Sequence, residues 1–217
     1  MEKIDDNRII SYEFTPEVIV MGGGDFPSHR LPMSLLHNAS KVVCCDGAAD
    51  EYLAHNLVPW RIVGDGDSLS DETKKKYNDI IRINPNQETN DQTKAIEYLA
   101  NKGFKDIAIV AATGRREDHT LGNISLLIEY LHLGLNVRLY TDYGMMIACN
   151  GDQSFIAPQG TAVSIFGFGT EGMHSEGLAY PIRDFTSWWQ GTLNKTTQEL
   201  FHITCKGDYI MYIGYDR

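Results

Sequence analysis

The sequence predicts an α/β protein: an N-terminal, mostly parallel sheet with flanking helices, and a C-terminal antiparallel β-domain of sandwich or barrel type. Three observations support this prediction. Short apolar runs ended by turn residues recur between residues 17 and 142, segments with helical spacing lie between them, and after residue 144 only short strand-like runs remain. Parallel strands are buried and joined by helices, whereas strands without intervening helices form antiparallel sheets.

Five apolar runs are the predicted strands of the first part. They span residues 18–21, 41–45, 60–63, 107–111 and 137–140. Two intervening segments have apolar residues at 3–4 residue spacing and a glycine after them, which predicts helices over 91–102 and 119–133. The expected core faces consist of Ala95, Ile96, Leu99 and Ala100 in the first helix and Leu121, Ile124, Ile128 and Leu131 in the second.

The last third of the chain has the alternation typical of β-strands. Strand-like runs cover 161–166, 174–182 and 200–205. Residues 206–208 read Lys-Gly-Asp, which predicts a hairpin turn from which the chain returns through 209–213. We therefore expect two domains, residues 1–143 and residues 144–217.

Composition excludes several classes of protein. The chain has 217 residues, 42% of them hydrophobic, with 19 basic and 29 acidic side chains and a net charge of −10. This balance argues against a nucleic-acid-binding protein, which needs clustered cations. The beginning of the sequence lacks the apolar segment of a secretory signal, no apolar run could span a membrane, and the four cysteines form no CxxC pair. We expect a cytoplasmic protein without a membrane partner.

Aspartates recur where the predicted strands end and helices begin. They are Asp46, Asp65, Asp67, Asp91 and Asp118. Since ligands of open α/β sheets bind outside the carboxyl ends of the strands, these carboxylates are expected at one edge, where Mg²⁺ would offset their repulsion. Each aspartate alone could equally be a helix cap or a turn residue. Their recurrence at successive strand ends favours the metal site.

A second strand-end loop carries the groups that bind phosphate. Thr113 and Gly114 precede Arg115 and Arg116. Glycine lets backbone N–H groups approach a phosphate, and arginine offers a bidentate fork, so metal-binding carboxylates beside this loop indicate phosphoryl transfer. The sequence contains no GxxxxGK[ST], HExxH or GxSxG motif, which disfavours a P-loop enzyme, a zinc protease and a serine hydrolase. The glycines at 22–24 could be a simple turn or lie against a nucleotide.

In combination, these segments resemble the thiamine pyrophosphokinase family. The pieces that carry the resemblance are Cys-Asp-Gly-Ala-Ala at 45–49, Val-Gly-Asp-Gly-Asp-Ser at 63–68, Asn-Gln-Glu-Thr-Asn-Asp-Gln-Thr-Lys-Ala at 86–95, and Ala-Thr-Gly-Arg-Arg-Glu-Asp-His at 112–119 with Asn123. In the second part, Gly-Leu-Ala-Tyr-Pro at 177–181 is similar to a family stretch, and Asn194 is similar to the asparagine of a Ser-Asn pair.

The resemblance implies a reaction: ATP and thiamine give AMP and thiamine diphosphate, with Mg²⁺ as cofactor. It also implies a homodimer with active sites at the subunit interface. In this interpretation residues 1–143 bind nucleotide and metal, and residues 144–217 contribute to thiamine binding and dimerisation. Two alternatives stay open: a non-catalytic nucleotide sensor, and a kinase for another small primary alcohol.

The resemblance also implies roles for individual residues. The expected metal ligands are Asp65, Asp67 and Asp91, which with Asp118 form the expected catalytic set; Asp91 is the preferred acceptor of the hydroxyl proton. The expected ATP contacts are Gly23, Asp46, Gly47, Thr93, Lys94, Thr113, Gly114, Arg116, Asp118 and His119, the last expected to orient its neighbours. The expected thiamine contacts are Gln87, Ser175, Trp188, Trp189 and Asn194.

The sequence departs from the family pattern at three positions. Arg115 stands where a second glycine is usual, Leu193 where a serine is common, and Lys195 where an acidic residue often follows. Thiamine is a cation with two flat rings, so one of Trp188 and Trp189 could stack on it. Both tryptophans could equally be core or interface aromatics.

Overall fold

A computed structural model describes residues 9–11 and 13–215 of the chain. The chain divides into two compact units. Thr15–Asp142 forms one, here called the N-terminal unit, and the described residues before Thr15 group with those from Tyr143 onward in the C-terminal unit. Among the described residues, no helix combines the length and apolar character that crossing a bilayer requires.

The N-terminal unit is a parallel sheet with connecting helices. Its strands are β1 (Val18–Met21), β2 (Val42–Cys45), β3 (Arg61–Gly64), β4 (Ile81–Ile83), β5 (Asp106–Val110) and β6 (Asn136–Tyr140). Its helices are α1 (Arg30–Asn38), α2 (Ala48–Ala54), α3 (Asp71–Lys76), α4 (Asp91–Ala100) and α5 (Glu117–His132). The strand order is β6-β5-β1-β2-β3-β4, with every pair parallel.

The strand order creates a switch point between β1 and β5. Strand β2 pairs with one edge of β1. Strand β5, which comes later in the chain, pairs with the opposite edge of β1. Crevices at the carboxyl ends of strands form where the order reverses in this way. The five predicted strands agree with β1, β2, β3, β5 and β6 to within one residue at each end. The short edge strand β4 was not predicted, because three residues carry too little pattern.

The two predicted helices form, but only one buries the expected face. In α4, Ala95, Ile96 and Leu99 are buried as predicted, and Ala100 is only half-buried. In α5 the buried residues are Leu127 and Tyr130, and Leu121, expected in the core, is 55% exposed. The predicted core face of α5 was therefore wrong: an apolar stripe of Leu121, Ile124, Ile128 and Leu131 stays at least partly exposed.

The C-terminal unit is an antiparallel sheet built on two long strands. Its strands are β7 (Gly144–Asn150), β8 (Gln153–Ile156), β9 (Ala162–Glu176), β10 (Asn194–Lys195) and β11 (Leu200–Gly214). The central strand β11 pairs with β7, β8 and β9, and β10 pairs with β9. A short 3₁₀ helix, Trp188–Gly191, lies between β9 and β10. The predicted fold class, a parallel helix-flanked sheet followed by an antiparallel one, is confirmed.

The predicted hairpin at residues 206–208 was wrong. These residues lie inside the continuous strand β11, whose register with β9 shifts between Thr204 and Lys206 and again between Lys206 and Asp208. Gly207 has φ +93°, and a Cβ there would meet the backbone of Gly169. The Lys-Gly-Asp segment therefore forms a β-bulge, which uses the same residue types as a turn because both need a positive φ.

Candidate active site

The loops after β1 and β5 meet at the switch point and form one wall of a cleft. Gly24 N donates to Ala111 O at 2.6 Å, and Asp25 N donates to Thr113 O at 2.8 Å. A Cβ on Gly24 would collide with the backbone of Thr113, whereas a Cβ on Gly23 would meet nothing within 4 Å. Gly24 therefore allows the two loops to pack backbone against backbone, and Gly23 stays open toward the cleft.

The cleft has a volume of about 670 Å³ and lies at the carboxyl edge of the parallel sheet. Ten of the predicted site residues line it: Gly23, Asp46, Gly47, Asp65, Gln87, Asp91, Lys94, Thr113, Arg116 and His119. Four predicted residues of the same unit do not: Asp67, Thr93, Gly114 and Asp118. Twelve further lining residues were not predicted as site residues, among them Cys45, Ser68, Thr89, Asn90 and Thr120.

Three carboxylates converge in the cleft. Asp46, Asp65 and Asp91 each place one carboxylate oxygen within 4.8 Å of the others. Asp67, the third residue of the predicted metal set, is outside this group; its side chain is exposed, and its backbone N–H donates to Asp65 Oδ1 at 3.2 Å. The structure thus brings together two of the three predicted metal ligands and adds Asp46, which the sequence had placed near the nucleotide.

Asp46 is held in a rare backbone conformation at the end of β2. Its φ is +39°, and a Cβ on Gly64 of the neighbouring strand would meet the Asp46 side chain at 2.6 Å. Glycine at position 64 therefore makes room for this aspartate. Asp46 is only 2% exposed; its Oδ2 accepts from Ser68 N at 2.8 Å, while its Oδ1 is buried without a hydrogen-bond partner.

The pKa values in this group follow from burial and from neighbouring charges. Burial raises the pKa of Asp46, and the negative charges of Asp91 and Asp65 raise it further. The Asp67 backbone N–H and the Lys94 ammonium lower the pKa of Asp65. A buried, unpaired carboxylate oxygen beside two further carboxylates is costly unless a cation compensates it, and an all-oxygen donor set suits a hard divalent cation.

One ammonium group lies among these carboxylates. Lys94 is 2% exposed, and its Nζ is 2.9 Å from Asp91 Oδ1 and 3.1 Å from Asp65 Oδ2. Gln87 Nε2 donates to the same Asp65 oxygen at 3.2 Å. Burial alone lowers the pKa of Lys94, but the hydrogen bonds to Asp91 and Asp65 outweigh it and raise that pKa. The lysine therefore stays charged.

A hydrogen-bond network holds the beginning of α4 against α5. The Asn90 side chain caps α4 by accepting from Thr93 N at 2.9 Å, and it donates to Asn123 Oδ1. Asn123 Nδ2 in turn donates to Ala112 O, two residues after the end of β5. The buried Thr93 hydroxyl shares a 2.9 Å hydrogen bond with Tyr130 OH. Thr93, predicted to contact ATP, thus lies in the helix interface, and the network positions Asp91.

The arginine loop is anchored by acidic residues. Arg115 pairs with Glu51 of α2 at 2.7 Å and with Asp25 at 3.7 Å, while Arg116 pairs with Asp118 at 2.6 Å. Arg116 lines the cleft, whereas the predicted catalytic Asp118 does not. The sequence contained no signal for the contacts of Arg115, because Asp25 and Glu51 are 90 and 64 positions away from it. Arg115 therefore connects this loop to α2.

The four predicted thiamine contacts of the C-terminal unit differ in their environments. Trp188 packs edge-on against Phe166 and at a tilt against Phe168, whereas Trp189 is 73% exposed. Asn194 Nδ2 donates to Tyr180 O at 2.8 Å, and its Oδ1 accepts from Tyr180 N at 3.1 Å. The amide of Asn194 therefore fixes the backbone at Tyr180. Ser175 is half-buried on β9 opposite Ile203.

Two family models match the chain. The model described as "Thiamin pyrophosphokinase, catalytic domain" matches residues 32–139, and the model described as "Thiamin pyrophosphokinase, substrate-binding domain" matches residues 144–212. The chain belongs to the thiamin pyrophosphokinase family. It is thereby a member of a family of diphosphotransferase kinases, as the motifs at the carboxyl edge of the sheet had indicated.

Known proteins of this family resemble the chain in sequence and fold. "Thiamin pyrophosphokinase 1" of Caenorhabditis elegans is 28% identical over 107 residues, which are 45% of this chain and 44% of the relative. The match thus spans less than half the length of that curated relative. Among solved structures, thiamine pyrophosphokinase from Bacillus subtilis is 19% identical with a TM-score of 0.76, over 92% of this chain and 100% of that one.

Two fungal structures extend the likeness in fold. Thiamin pyrophosphokinase from Candida albicans has a TM-score of 0.74 at 19% identity and covers 99% of this chain and 97% of that one. Yeast thiamin pyrophosphokinase has a TM-score of 0.72 at 18% identity, with 98% and 87% covered. At these identities the similarity concerns the fold, and it supports the α/β assignment.

Proposed function

We propose that the chain catalyses Mg²⁺-dependent transfer of the diphosphate of ATP to the hydroxyl group of thiamine, giving thiamine diphosphate and AMP. One observation carries the proposal: three carboxylates converge at the carboxyl edge of the parallel sheet, with a buried oxygen of Asp46 that has no partner. The family models for the catalytic and the substrate-binding domain support it.

The carboxylate group suits the metal that the reaction needs. Asp46, Asp65 and Asp91 would hold Mg²⁺, because they provide closely spaced oxygen ligands and one of those oxygens lacks any other partner. When bound, Mg²⁺ supplies positive charge that offsets the negative charge of the phosphates. Asp67 stays on the exposed side of the turn, where its backbone N–H orients Asp65.

The remaining residues of the cleft are proposed to bind and orient ATP. Gly23, Gly47 and Thr113 line the cleft, and Arg116 brings a guanidinium that pairs with Asp118 in this structure. Arginine binds phosphate oxygens through two parallel hydrogen bonds. We propose that Arg116 exchanges Asp118 for a phosphate when ATP binds, and that His119 keeps the loop in place.

Thiamine is proposed to contact Gln87 and an aromatic side chain of the C-terminal unit. Trp188 is already packed against two phenylalanines, whereas the exposed ring of Trp189 has a face available for a cationic ring. Trp189 is therefore the proposed stacking residue. Asn194 is proposed to hold the backbone at Tyr180 in place and not to contact the substrate itself. Ser175 keeps its proposed contact with thiamine.

Catalysis is proposed to depend mainly on how the protein positions the two substrates. The thiamine hydroxyl oxygen attacks the β-phosphorus of ATP, the bond from that phosphorus to the α-phosphate bridging oxygen breaks, and AMP leaves. Asp91 is proposed to accept the hydroxyl proton. Little covalent work remains for the protein, because holding two substrates in line and stabilising their charge supply most of the rate enhancement.

The assembly is proposed to be a homodimer with active sites at the subunit interface. The apolar stripe on α5, from Leu121 to Leu131, is partly exposed in the single chain. It supports a dimer in which a second copy of the chain packs against this stripe, because exposed apolar patches are usually interaction sites. A cytoplasmic location is also part of the proposal. It is supported by the four free cysteines, three of which are buried.

The proposal is tested by incubating the protein with ATP, Mg²⁺ and thiamine and separating the products by chromatography. We expect AMP and thiamine diphosphate in equal amounts. Release of ADP would instead indicate transfer of a single phosphoryl group, and no thiamine-dependent turnover would contradict the proposal. A panel of other primary alcohols tests the kinase alternative. Calorimetric binding of ATP without turnover would identify a nucleotide sensor.

A further inference from the structure

Lys94 has an environment that its predicted role as an ATP contact does not require. We propose that Lys94 is the internal counter-cation of the metal site: without metal it holds Asp65 and Asp91 in place, and it limits how strongly the site binds a divalent cation. The inference rests on the proposed function, because it assumes that this carboxylate group is the one that binds Mg²⁺.

The geometry of the ammonium group supports this role. Lys94 Nζ lies 3.1 Å from Asp65 Oδ2 and 2.9 Å from Asp91 Oδ1. Asp91 is one turn earlier on α4, whereas Asp65 belongs to the turn after β3. One buried side chain therefore joins the two elements that contribute carboxylates, and two of its three donors are used by them.

The charges balance in a way that suits one divalent cation. Three ionised carboxylates and one ammonium leave the group with a net charge equal and opposite to that of Mg²⁺. Without Lys94, three carboxylates within 4.8 Å of one another would repel each other in a partly buried site. The protein lacking metal would then be less stable, and a cation would be attracted more strongly.

The competing role for Lys94 is direct binding of a phosphate, and the two roles predict different results. A counter-cation acts on the protein before ATP arrives, so its removal changes stability and Mg²⁺ binding in the absence of nucleotide. A phosphate ligand acts only when ATP is present, so its removal raises the KM for ATP and leaves the response to Mg²⁺ alone unchanged.

The first experiment compares Lys94→Met with wild type and with Lys102→Met. Methionine keeps most of the side-chain length without the charge, and Lys102 is an exposed lysine near the end of α4, 5.1 Å above the Tyr98 ring. In EDTA we expect only Lys94→Met to melt at a lower temperature. Added Mg²⁺ should raise its melting temperature more than that of wild type, and calorimetry should show about tenfold tighter Mg²⁺ binding.

A charge-restoring variant separates electrostatics from packing. Lys94→Met/Asp65→Asn removes one carboxylate together with the ammonium, so repulsion falls while the methionine remains. We expect its melting temperature in EDTA to return toward the wild-type value. If it stays as low as that of Lys94→Met, lost packing explains the destabilisation and the proposal is overturned.

An equal Mg²⁺ response in wild type and Lys94→Met would also overturn the proposal. These measurements use protein and Mg²⁺ alone, so they are independent of the activity assay. Failure to form AMP from thiamine would refute the proposed reaction without changing the melting data. Conversely, an active enzyme whose Lys94→Met variant shows only a raised KM for ATP would support the phosphate role.

Discussion

At the scale of single residues, the informative groups are those whose polar atoms are not satisfied. Asp46 is buried, its φ is positive, and one of its oxygens has no donor. Backbone strain and an unpaired buried polar atom both lower the stability of a protein. Such features are found mainly at sites that bind ligands. Asp67 is only two residues from Asp65, but its exposed side chain carries neither feature.

This difference gives a prediction for the carboxylates. Asp46→Asn, Asp65→Asn and Asp91→Asn should each lower turnover by at least about 100-fold, because each removes a charged ligand from the proposed metal site. Asp67→Asn is the matched control: it keeps the backbone N–H that orients Asp65, so it should cost less than about tenfold. Turnover and the Mg²⁺ dependence of the rate are the measurements. A loss at Asp67 as large as at Asp46 would contradict the proposed ligand set.

At the scale of elements, the site depends on how closely its loops pack. The backbone after β1 runs against the backbone after β5, and the space between them admits no side chain at Gly24. The same principle applies where Gly64 makes room for Asp46. Glycines that look like turn residues in the sequence thus set the distances between the walls of the cleft.

The glycine loop gives a prediction with a built-in control. Gly24→Ala places a methyl group against the Thr113 backbone, so it should lower the free energy of unfolding by about 1–3 kcal/mol. Gly23→Ala meets nothing within 4 Å and should leave it within about 0.5 kcal/mol. Urea unfolding followed by tryptophan fluorescence measures both. Equal stability of the two variants would show that the loops can separate without cost.

A second element-scale prediction concerns the loop before α1. Asp142 accepts hydrogen bonds from Ser28 N at 2.9 Å, from the Ser28 hydroxyl and from His29 N at 3.0 Å. Burial raises the pKa of Asp142, but these hydrogen bonds outweigh it and hold the pKa below the ordinary value of 3.8. The stabilisation is therefore present above about pH 4 and is lost as the pH falls through the lower pKa of the folded state.

Asp142→Asn should therefore be less stable than wild type at pH 7, by about 1 kcal/mol, since charge-assisted acceptors are lost. The difference in stability between the two proteins should shrink as the pH falls below about 4 and through the lowered pKa of Asp142, because the wild-type carboxyl group then loses its charge. Urea unfolding at several pH values measures this, with Asp79→Asn, an exposed aspartate, as control. A difference that does not change with pH would indicate that the charge of Asp142 has no role.

At the scale of the whole molecule, the proposed thiamine contacts belong to different units. Gln87 lies in the N-terminal unit, whereas Ser175 and Trp189 lie in the C-terminal unit. A homodimer with sites at the subunit interface would combine the N-terminal unit of one copy with the C-terminal unit of its partner. This arrangement can be tested without a crystal structure, because C2 symmetry makes both sites of a dimer equivalent.

Mixing two defective variants should restore activity. Asp91→Asn impairs the proposed metal site and Trp189→Ala the proposed thiamine contact; in a mixed dimer one of the two shared sites is intact. Refolding an equal mixture should recover about a quarter of wild-type activity, because half of the dimers are mixed and each has one good site. Light scattering should give twice the mass of the chain. Activity no higher than that of the separate variants would contradict a site shared between subunits.

Much of the architecture could be predicted because strand and helix signals are local. Five parallel strands were located to within one residue, and three of the four residues predicted for the buried face of α4 are buried. Predictions were wrong where the same local pattern serves two structures. Lys-Gly-Asp at 206–208 forms a bulge rather than a turn, since only pairing with β9 distinguishes the two. On α5 the spacing of the apolar residues predicts a stripe on one face of the helix. The spacing does not determine whether other residues of the same chain pack against that stripe.

The sequence by itself determined the family, the parallel sheet and the recurrence of aspartates at strand ends, because these depend on residue types at short spacings. Only the tertiary structure decided that Asp46 rather than Asp67 joins Asp65 and Asp91, and that Lys94 lies between two of these carboxylates. The physical reason is the geometry of side chains. The direction of a carboxylate depends on the φ of its own residue and on the space left by the next strand, and neither is encoded in spacing along the chain.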